Sequence, residues 1–434
     1  MKAMQKRNSA SKNVAWIISC KIVQSLLGIV VGMLTARYLG PSNYGLINYA
    51  ASLVAFALPV ARLGFSSTLV NEIIDHQDQE GEILGTSLFF SFLSAVACIF
   101  CICIFAYAEN PNEKVTVWVC ALYSLCLLAQ VLEMIQYWFQ AKMIAQYVSL
   151  TALAAYIVVT GYKIFLLITG KSIYWFAVSN ALDYVIVMIV LLGFYHRLGG
   201  QKLRVSWECF GRMFARSKYF ILSSLMVTVF AQTDKIMLKA TLTEEAVGIY
   251  SAAMNCAGLT SFVFSAIIDS VRPMVFEKKK TSKEEYENSL TACYSIIIYL
   301  SLAQSLVCAV FSKFIIRILY GNEYAAAANV LRLAVWYTTF SYIGPVRNIW
   351  ILAENKQNYL WIINLSGAAG NVILNAVLIP CMGVMGAALA SLITQIFTNV
   401  IIGFIFEPIR ENNVLLVKSW NPKILIDLIR TVYI

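Results

Sequence analysis

The chain has 434 residues, 60% of them hydrophobic and only 13% charged, with a mean hydropathy of +0.72. Soluble domains average about half apolar and a quarter charged residues, so a soluble globular protein is excluded. Apolar runs of roughly 20–30 residues are too long for barrel strands and leave a polytopic helical membrane protein. The net charge of +10 lies mostly in short segments between the runs, where it sets topology rather than marking nucleic-acid binding.

In chain order the pattern predicts about twelve spans, at 14–36, 43–71, 84–108, 115–139, 146–169 and 172–195, then 218–239, 246–276, 290–311, 325–353, 358–380 and 384–407. The stretch "AWIISCK" ending at Lys21 resembles a lipoprotein box, but its apolar part is short and the pattern runs on, so it reads as the start of a span. Between the sixth and seventh spans lies "HRLGGQKLRVSWECFGRMFARSK", the longest polar break, basic and suited to a linker that lies on the membrane as an amphipathic helix. The chain therefore divides into an N-terminal six-helix lobe at 1–195, a linker at 196–217, a C-terminal six-helix lobe at 218–408 and a tail at 409–434. Within the tail, "KILIDLIRTVYI" has the pattern of a short amphipathic helix. The lobes resemble each other weakly: "SNYGLINYAASL" around Gly45 matches "EEAVGIYSAAMN" around Gly248, and "WFAVSNAL" around Ala177 matches "GAALASLI" around Ala388. Parallel repeats of this kind suit alternating access.

About twenty Lys and Arg fall on one side of these spans, against Arg37, Lys114, Lys171, Lys239, Lys313 and Arg317 on the other. This asymmetry puts both termini in the cytoplasm. One cytoplasmic segment, "NEIIDHQDQEGE", has no Lys or Arg and runs against the trend. The eleven cysteines lie mostly in apolar runs, and "CIFCIC" reads as packing rather than a metal motif.

Charges inside spans are costly and tend to face a cavity or a partner. Seven basic residues are so placed, Lys21, Arg62, Lys163, Lys235, Arg272, Arg332 and Arg347, with four acids, Glu133, Asp183, Asp234 and Asp269. Lys21 and Lys163 are within reach of an interface by snorkelling. Asp234 and Lys235 form a candidate structural pair, and Asp269 and Arg272 are spaced i, i+3 to neutralise each other. Arg62 stands apart: it follows Pro59 in "LPVARLGFSS", no acid shares its span, and it lies deep. A guanidinium stays charged and makes a fork that matches phosphate oxygens, so several around one cavity suit a diphosphate. There is no Gly-rich phosphate loop, no metal-spaced histidine cluster and no nucleophile–base pair. No catalytic residue, metal or cofactor is expected, and the chain reads as a transporter rather than an enzyme.

The segment "LTARYLGPSNYGLINYAASLVAFALPVARLGFSSTLVNE" resembles the N-terminal signature of polysaccharide (O-antigen, Wzx-type) flippases of the multidrug/oligosaccharidyl-lipid/polysaccharide (MOP) exporter superfamily. "TDKIMLKATLTEEAVGIYSAAMN", "LYGNEYAAAANVLRLAVW" and "LAENKQNYLWIINLSGAAGNVILNAVLIPCMGVMGAALASLITQ" resemble later spans of the same family. The resemblance implies a two-lobed all-α transporter with a MATE-like fold around a central cavity. It implies movement of undecaprenyl-diphosphate-linked oligosaccharide units across the cytoplasmic membrane by alternating access, for surface polysaccharide (lipopolysaccharide O-antigen) synthesis. It also implies membrane lipids, a polysaccharide polymerase and a chain-length regulator as partners, and no nucleic acid. Many members carry fourteen spans, against about twelve here. In a related branch that flips the peptidoglycan lipid precursor, cations in the first, second and eighth spans are associated with the lipid diphosphate. Arg62 and Arg272 fall in the second and eighth spans here, and Lys21 in the first. The expected substrate-binding set is Arg62 and Arg272 with Lys21, Arg332 and Arg347. For coupling to a proton or sodium gradient the mid-span carboxylates are Asp183, Glu133 and Asp234. The alternatives are a drug/cation antiporter of the same superfamily, which favours acids in the cavity, and a membrane glycosyltransferase or polymerase, which needs a large external loop.

Overall fold

The computed structural model describes the backbone of residues 2–424 and 426, with side chains described at residue 20 and from residue 23 onward. Lys21 and most of "KILIDLIRTVYI" lie outside the described side chains and residues.

All regular elements among the described residues are helical. They are α1 (Lys2–Ala61), α2 (Leu69–Asp75), α3 (Glu80–Glu109), α4 (Lys114–Ser124), α5 (Cys126–Leu132), α6 (Gln136–Ala141), α7 (Gln146–Ile168), α8 (Ile173–Arg197) and α9 (Trp207–Thr241). There follow α10 (Glu244–Ala257), α11 (Ser261–Thr281), α12 (Lys283–Val310), α13 (Ser312–Tyr320), α14 (Ala327–Ala353), α15 (Leu360–Met382), α16 (Val384–Ile396), α17 (Ile402–Ile405) and α18 (Arg410–Ser419). Two compact units divide between Gln232 and Thr233, inside α9.

Nine helical stretches among the described residues are long and apolar enough to cross a membrane, or ten with α10 and α11, which meet at a 43° bend. The first of these, Val23–Ala61, holds two spans. Gly40 breaks it at φ 71° because Pro41 disfavours a helical residue before it and glycine tolerates positive φ. The 27-residue α14 is long enough to cross but carries Arg332 and Arg347. Counted this way, the twelve spans are present. Their starts follow ordinary capping chemistry. Thr243 accepts from the Ala246 amide at 3.2 Å, and Ser282 accepts from that of Glu285 at 3.4 Å, in the Ser-x-x-Glu pattern.

Four spans differ from the sequence expectation in their continuity, the bent α10–α11 pair among them. The span expected at 43–71 stops being helical after Ala61 and resumes as α2, with a 3₁₀ turn at Phe65–Ser67 between. Leu63 (φ 51°) and Gly64 (φ 69°) both adopt the left-handed region there. The span expected at 115–139 is interrupted at Leu125 and by a 3₁₀ turn at Glu133–Ile135. The last span carries a π-helix at Phe397–Ile401.

In unit 1 the buried core gathers where the ends of several helices meet: Phe65, Leu69 and Ile73 pack with Ile83, Leu84, Trp138, Tyr195 and Met213. Unit 2 has a corresponding core of Phe264, Ile297, Ile298, Tyr342 and Trp350 with Leu415 and Leu416 of α18. The Phe264 and Tyr342 rings stack at 4.1 Å. Within lipid, association rests on packing and polar contacts rather than on the hydrophobic effect, and buried hydroxyls serve this purpose. Ser305 of α12 donates to the Val335 carbonyl of α14 at 3.0 Å. The tail is bound in the same way. Tyr294 donates to Asn412 at 2.8 Å, Ser295 to the Ser419 carbonyl at 2.7 Å, and Asn413 to the Val400 carbonyl at 2.7 Å.

The polar stretch after α8 is ordered against α3. The Arg204 amide donates to the Gly81 carbonyl at 3.2 Å, the Ser206 amide to Thr86 at 3.0 Å, and Tyr195 to the Gln201 carbonyl at 2.6 Å. Such closeness needs a helix face without side chains: a Cβ on Gly85 falls 2.4 Å from the Arg204 carbonyl oxygen. Gly85→Ala is expected to push the segment off α3 at a cost of about 1–3 kcal/mol, seen as a lower melting temperature in detergent. Gly161→Ala, which meets nothing within 4 Å, serves as the control that leaves it unchanged or higher.

Candidate functional site

Arg62 sits in the turn that follows α1, not in the middle of a helix. Pro59 removes one helical donor. Beyond the end of α1, the Leu63 carbonyl accepts from the Ser217 hydroxyl of α9 at 3.0 Å, and Gly64 lies so close to the Ser217 carbonyl that a Cβ there falls 2.5 Å away. The break is thus held by the first turns of α9. These turns lie within the stretch read from the sequence as a linker.

An acidic partner that the sequence pattern did not show comes from the other interrupted span. One Arg62 terminal nitrogen donates to the Gln130 carbonyl at 3.0 Å and stands 3.7 Å from a Glu133 carboxylate oxygen, with the two side chains 20% and 15% exposed. Gln130 lies just before the 3₁₀ turn, where the regular helical ladder gives way. Asp183 of α8 lies within electrostatic reach of both Glu133 and Lys163. Lys163 donates to Asn180 at 3.0 Å. Tyr123, Tyr156 and Tyr184 also feel the Asp183 charge. Two cations and two carboxylates therefore share one polar cluster in unit 1. The Arg62 Nε and an Asp183 carboxylate oxygen are buried there without a hydrogen-bond partner among the described residues, so both have capacity left for a ligand.

The other sequence-predicted cations are placed separately. Arg272 stands on α11 beside Pro273 and pairs with Asp269 at 3.2 Å, with the side chains 47% and 64% exposed. Arg332 donates to Ser312 of α13 at 2.9 Å. Arg347 is 5% exposed and donates to the Thr398 carbonyl within the π-helix, where the altered ladder leaves carbonyls in need of donors. Its Nε, like that of Arg62, is buried without a hydrogen-bond partner among the described residues.

In unit 2 the carboxylate of Asp234 is fully engaged. It accepts from Tyr250, from Ser391 at 2.5 Å and from Asn375 at 2.5 Å. Asn375 also donates to Asn371 at 3.0 Å. The Asn375 Oδ1 and Asn371 Nδ2 are buried without a hydrogen-bond partner among the described residues. Among the described residues no three or more His, Cys, Asp or Glu gather in a metal-binding group. Lys235 lies within electrostatic reach of the same carboxylate, so a bound cation would share Asp234 with it; oxygen ligands of this kind suit a hard cation better than a transition metal. Sequence reasoning named Asp234 but missed Tyr250, Asn371, Asn375 and Ser391. The signal available was "NVILN", two amides one helical turn apart in an otherwise apolar stretch.

The acidic segment without Lys or Arg also finds its explanation. Glu72, 2% exposed, pairs with Arg216 at 2.6 Å and lies 3.9 Å from Arg212, and Glu80 pairs with Lys142 at 2.7 Å. Its positive charge is supplied by neighbouring segments.

A family model described as "Polysaccharide biosynthesis protein" matches residues 10–279, well over half of the chain. The chain belongs to that family. Individual relatives are more distant. The probable low-salt glycan biosynthesis flippase Agl15 of Haloferax volcanii is 24% identical over 180 residues, covering 41% of this chain and 38% of that protein. The uncharacterized membrane protein MJ1068 of Methanocaldococcus jannaschii is 28% identical over 238 residues, 50% of this chain and 46% of that one. The matched part thus spans less than half the length of these curated relatives. The fold is similar to that of the lipid II flippase MurJ in an inward closed conformation, with a TM-score of 0.74 at 13% identity over 95% of this chain and 92% of that one. It is also similar to an inward-facing multidrug resistance MATE family transporter of the MOP superfamily, with a TM-score of 0.69 at 13% identity over 92% and 96%. The family member described here is a multi-pass membrane protein with the helical fold of these transporters.

Proposed function

We propose that this protein is a flippase that carries undecaprenyl-diphosphate-linked oligosaccharide units across the cytoplasmic membrane by alternating access, with both termini in the cytoplasm. The observation that carries the proposal is the Arg62 guanidinium, held within a span by a built helix break and keeping an unpartnered buried N–H. It lies inside the region matched by the polysaccharide biosynthesis family. A fixed cation there suits a diphosphate better than a cationic drug. Arg272 is the second proposed contact, and Arg332 and Arg347 act chiefly through the helices they join. Asp234 with Asn371, Asn375 and Ser391 is the proposed coupling-ion site, and sodium fits its oxygen-rich, single-carboxylate chemistry. Glu133 and Asp183 are the acids that an antiporter of cations would use, and they are the proposed proton-exchanging groups if the coupling ion is a proton. The test is deletion of the gene followed by analysis of lipid-linked intermediates. Diphosphate-linked oligosaccharide is expected to accumulate on the cytoplasmic side while surface polysaccharide falls. Unchanged surface polysaccharide with raised drug sensitivity would favour the antiporter.

A further inference from the structure

We infer that Arg347 holds a small inorganic anion, of the size of chloride, in the core of unit 2. The residue stands in an apolar stretch of α14: Ile343, Val346, Ile349, Trp350 and Ile351 around it are all 2% exposed or less. Arg347 itself is 5% exposed, and a guanidinium stays charged wherever it is placed. A buried cation needs a partner of opposite charge, because its desolvation costs far more than that of a neutral polar group. Among the described residues no Asp or Glu pairs with Arg347. Glu354, just past α14, pairs with Lys279, and Glu411 of α18 pairs with Lys356 at 3.8 Å. The Thr398 carbonyl takes one N–H of Arg347, which satisfies a donor and leaves the charge.

A second buried donor is joined to the same place by Tyr294 of α12. The Tyr294 hydroxyl donates to the Asn412 Oδ1 of α18 at 2.8 Å and lies within electrostatic reach of Arg347. With its oxygen so engaged, Asn412 keeps Nδ2 buried and without a hydrogen-bond partner among the described residues, as Arg347 keeps its Nε. Asn412 is 0% exposed. Two unpartnered N–H donors beside an uncompensated positive charge take an anion. Water supplies the missing acceptor but no charge, and the guanidinium repels a cation. Burial of both residues favours a monatomic ion over a phosphate ester, which separates this site from the transported substrate. An anion there neutralises the joint of α12, α14, α18 and the π-helix. The inference does not depend on what the protein carries.

The test is the melting temperature of the full chain in detergent, in choline chloride against choline gluconate at equal ionic strength, so that sodium plays no part. Chloride well above its Kd is expected to raise the wild-type value by a few degrees. Arg347→Met keeps a long apolar chain without the charge and is expected to lose that increment entirely. Asn412→Leu is expected to need about tenfold more chloride for the same increment, the usual effect of losing one hydrogen bond to a charged group. In crystals grown with bromide, an anomalous peak is expected beside the Arg347 Nε. Equal wild-type melting temperatures in the two salts, the result if water alone fills the place, would overturn the inference. An increment that survives in Arg347→Met would overturn it as well. Bromide crystals with no peak at Arg347 would do the same, and they decide the matter if Arg347→Met does not fold. An unchanged chloride requirement in Asn412→Leu would remove Asn412 from the site. Stabilisation by inorganic pyrophosphate that exceeds that by chloride and vanishes in Arg347→Met would return Arg347 to the expected substrate contacts and overturn the inference too.

Discussion

Arg62→Ala is expected to cut surface polysaccharide output roughly tenfold to hundredfold in a complementation assay. That range follows from losing a charge-assisted hydrogen bond, worth about 1.5–3 kcal/mol. The single variant also leaves Glu133 without its cation 3.7 Å away, so its melting temperature should fall as well. The second substitution separates the two effects. Arg62→Ala/Glu133→Gln removes the stranded carboxylate charge and is expected to recover the melting temperature without recovering transport. Recovery of both together would make Arg62 a structural residue and sink its assignment to the substrate diphosphate. Arg62→Lys keeps the charge but loses the planar fork, and an intermediate output is expected.

Sodium is expected to raise the melting temperature of the wild-type protein relative to choline at the same ionic strength, and Asp234→Asn is expected to abolish that increment. A ligand at a hundred times its Kd stabilises the folded state by about 2.7 kcal/mol, enough for a shift of several degrees. The asparagine variant should also start from a lower baseline. Its amide sets a donor among Tyr250, Ser391 and Asn375, all of which donate to Asp234 in the native chain. The baseline loss alone says nothing about ions, so the reading that matters is the difference between sodium and choline. A wild type indifferent to sodium, or a variant that keeps the increment, would exclude Asp234 as the cation ligand. The coupling groups would then be sought at Glu133 and Asp183.

Hydropathy made the helical spans legible because each is a local property of about twenty residues. The break between the first two spans was legible as the gap at 37–42, where Gly40 supplies it, and Pro59 marked the approach to the second break. The completion of that break was not visible. It depends on Ser217, more than 150 positions away, in a stretch that read as an amphipathic surface helix linking the lobes; α9 is helical there from Trp207, but its contact with the break has no local signal. Arg62 was picked out for having no acid in its own span, yet its partner Glu133 arrives from a separate one. Pairing between spans leaves no periodic trace in a single sequence. The same holds for Glu72, whose burial is set by arginines in a different segment. Asp234 was legible as a charge in an apolar run. Its environment was not, because neutral Asn and Ser side chains raise no alarm in a hydropathy profile.

The tail helix α18 has a practical consequence for topology mapping. Asn412, Asn413 and Ser419 are hydrogen-bonded into α12 and the π-helix, and Leu415 and Leu416 complete the unit 2 core. A reporter enzyme joined directly after Phe406, where hydropathy alone ends the last span, strips these partners away and reads out a damaged unit. A junction beyond Trp420, whose carbonyl accepts from Tyr299 at 2.6 Å, keeps the packing and lets the fluorescence or phosphatase signal report orientation.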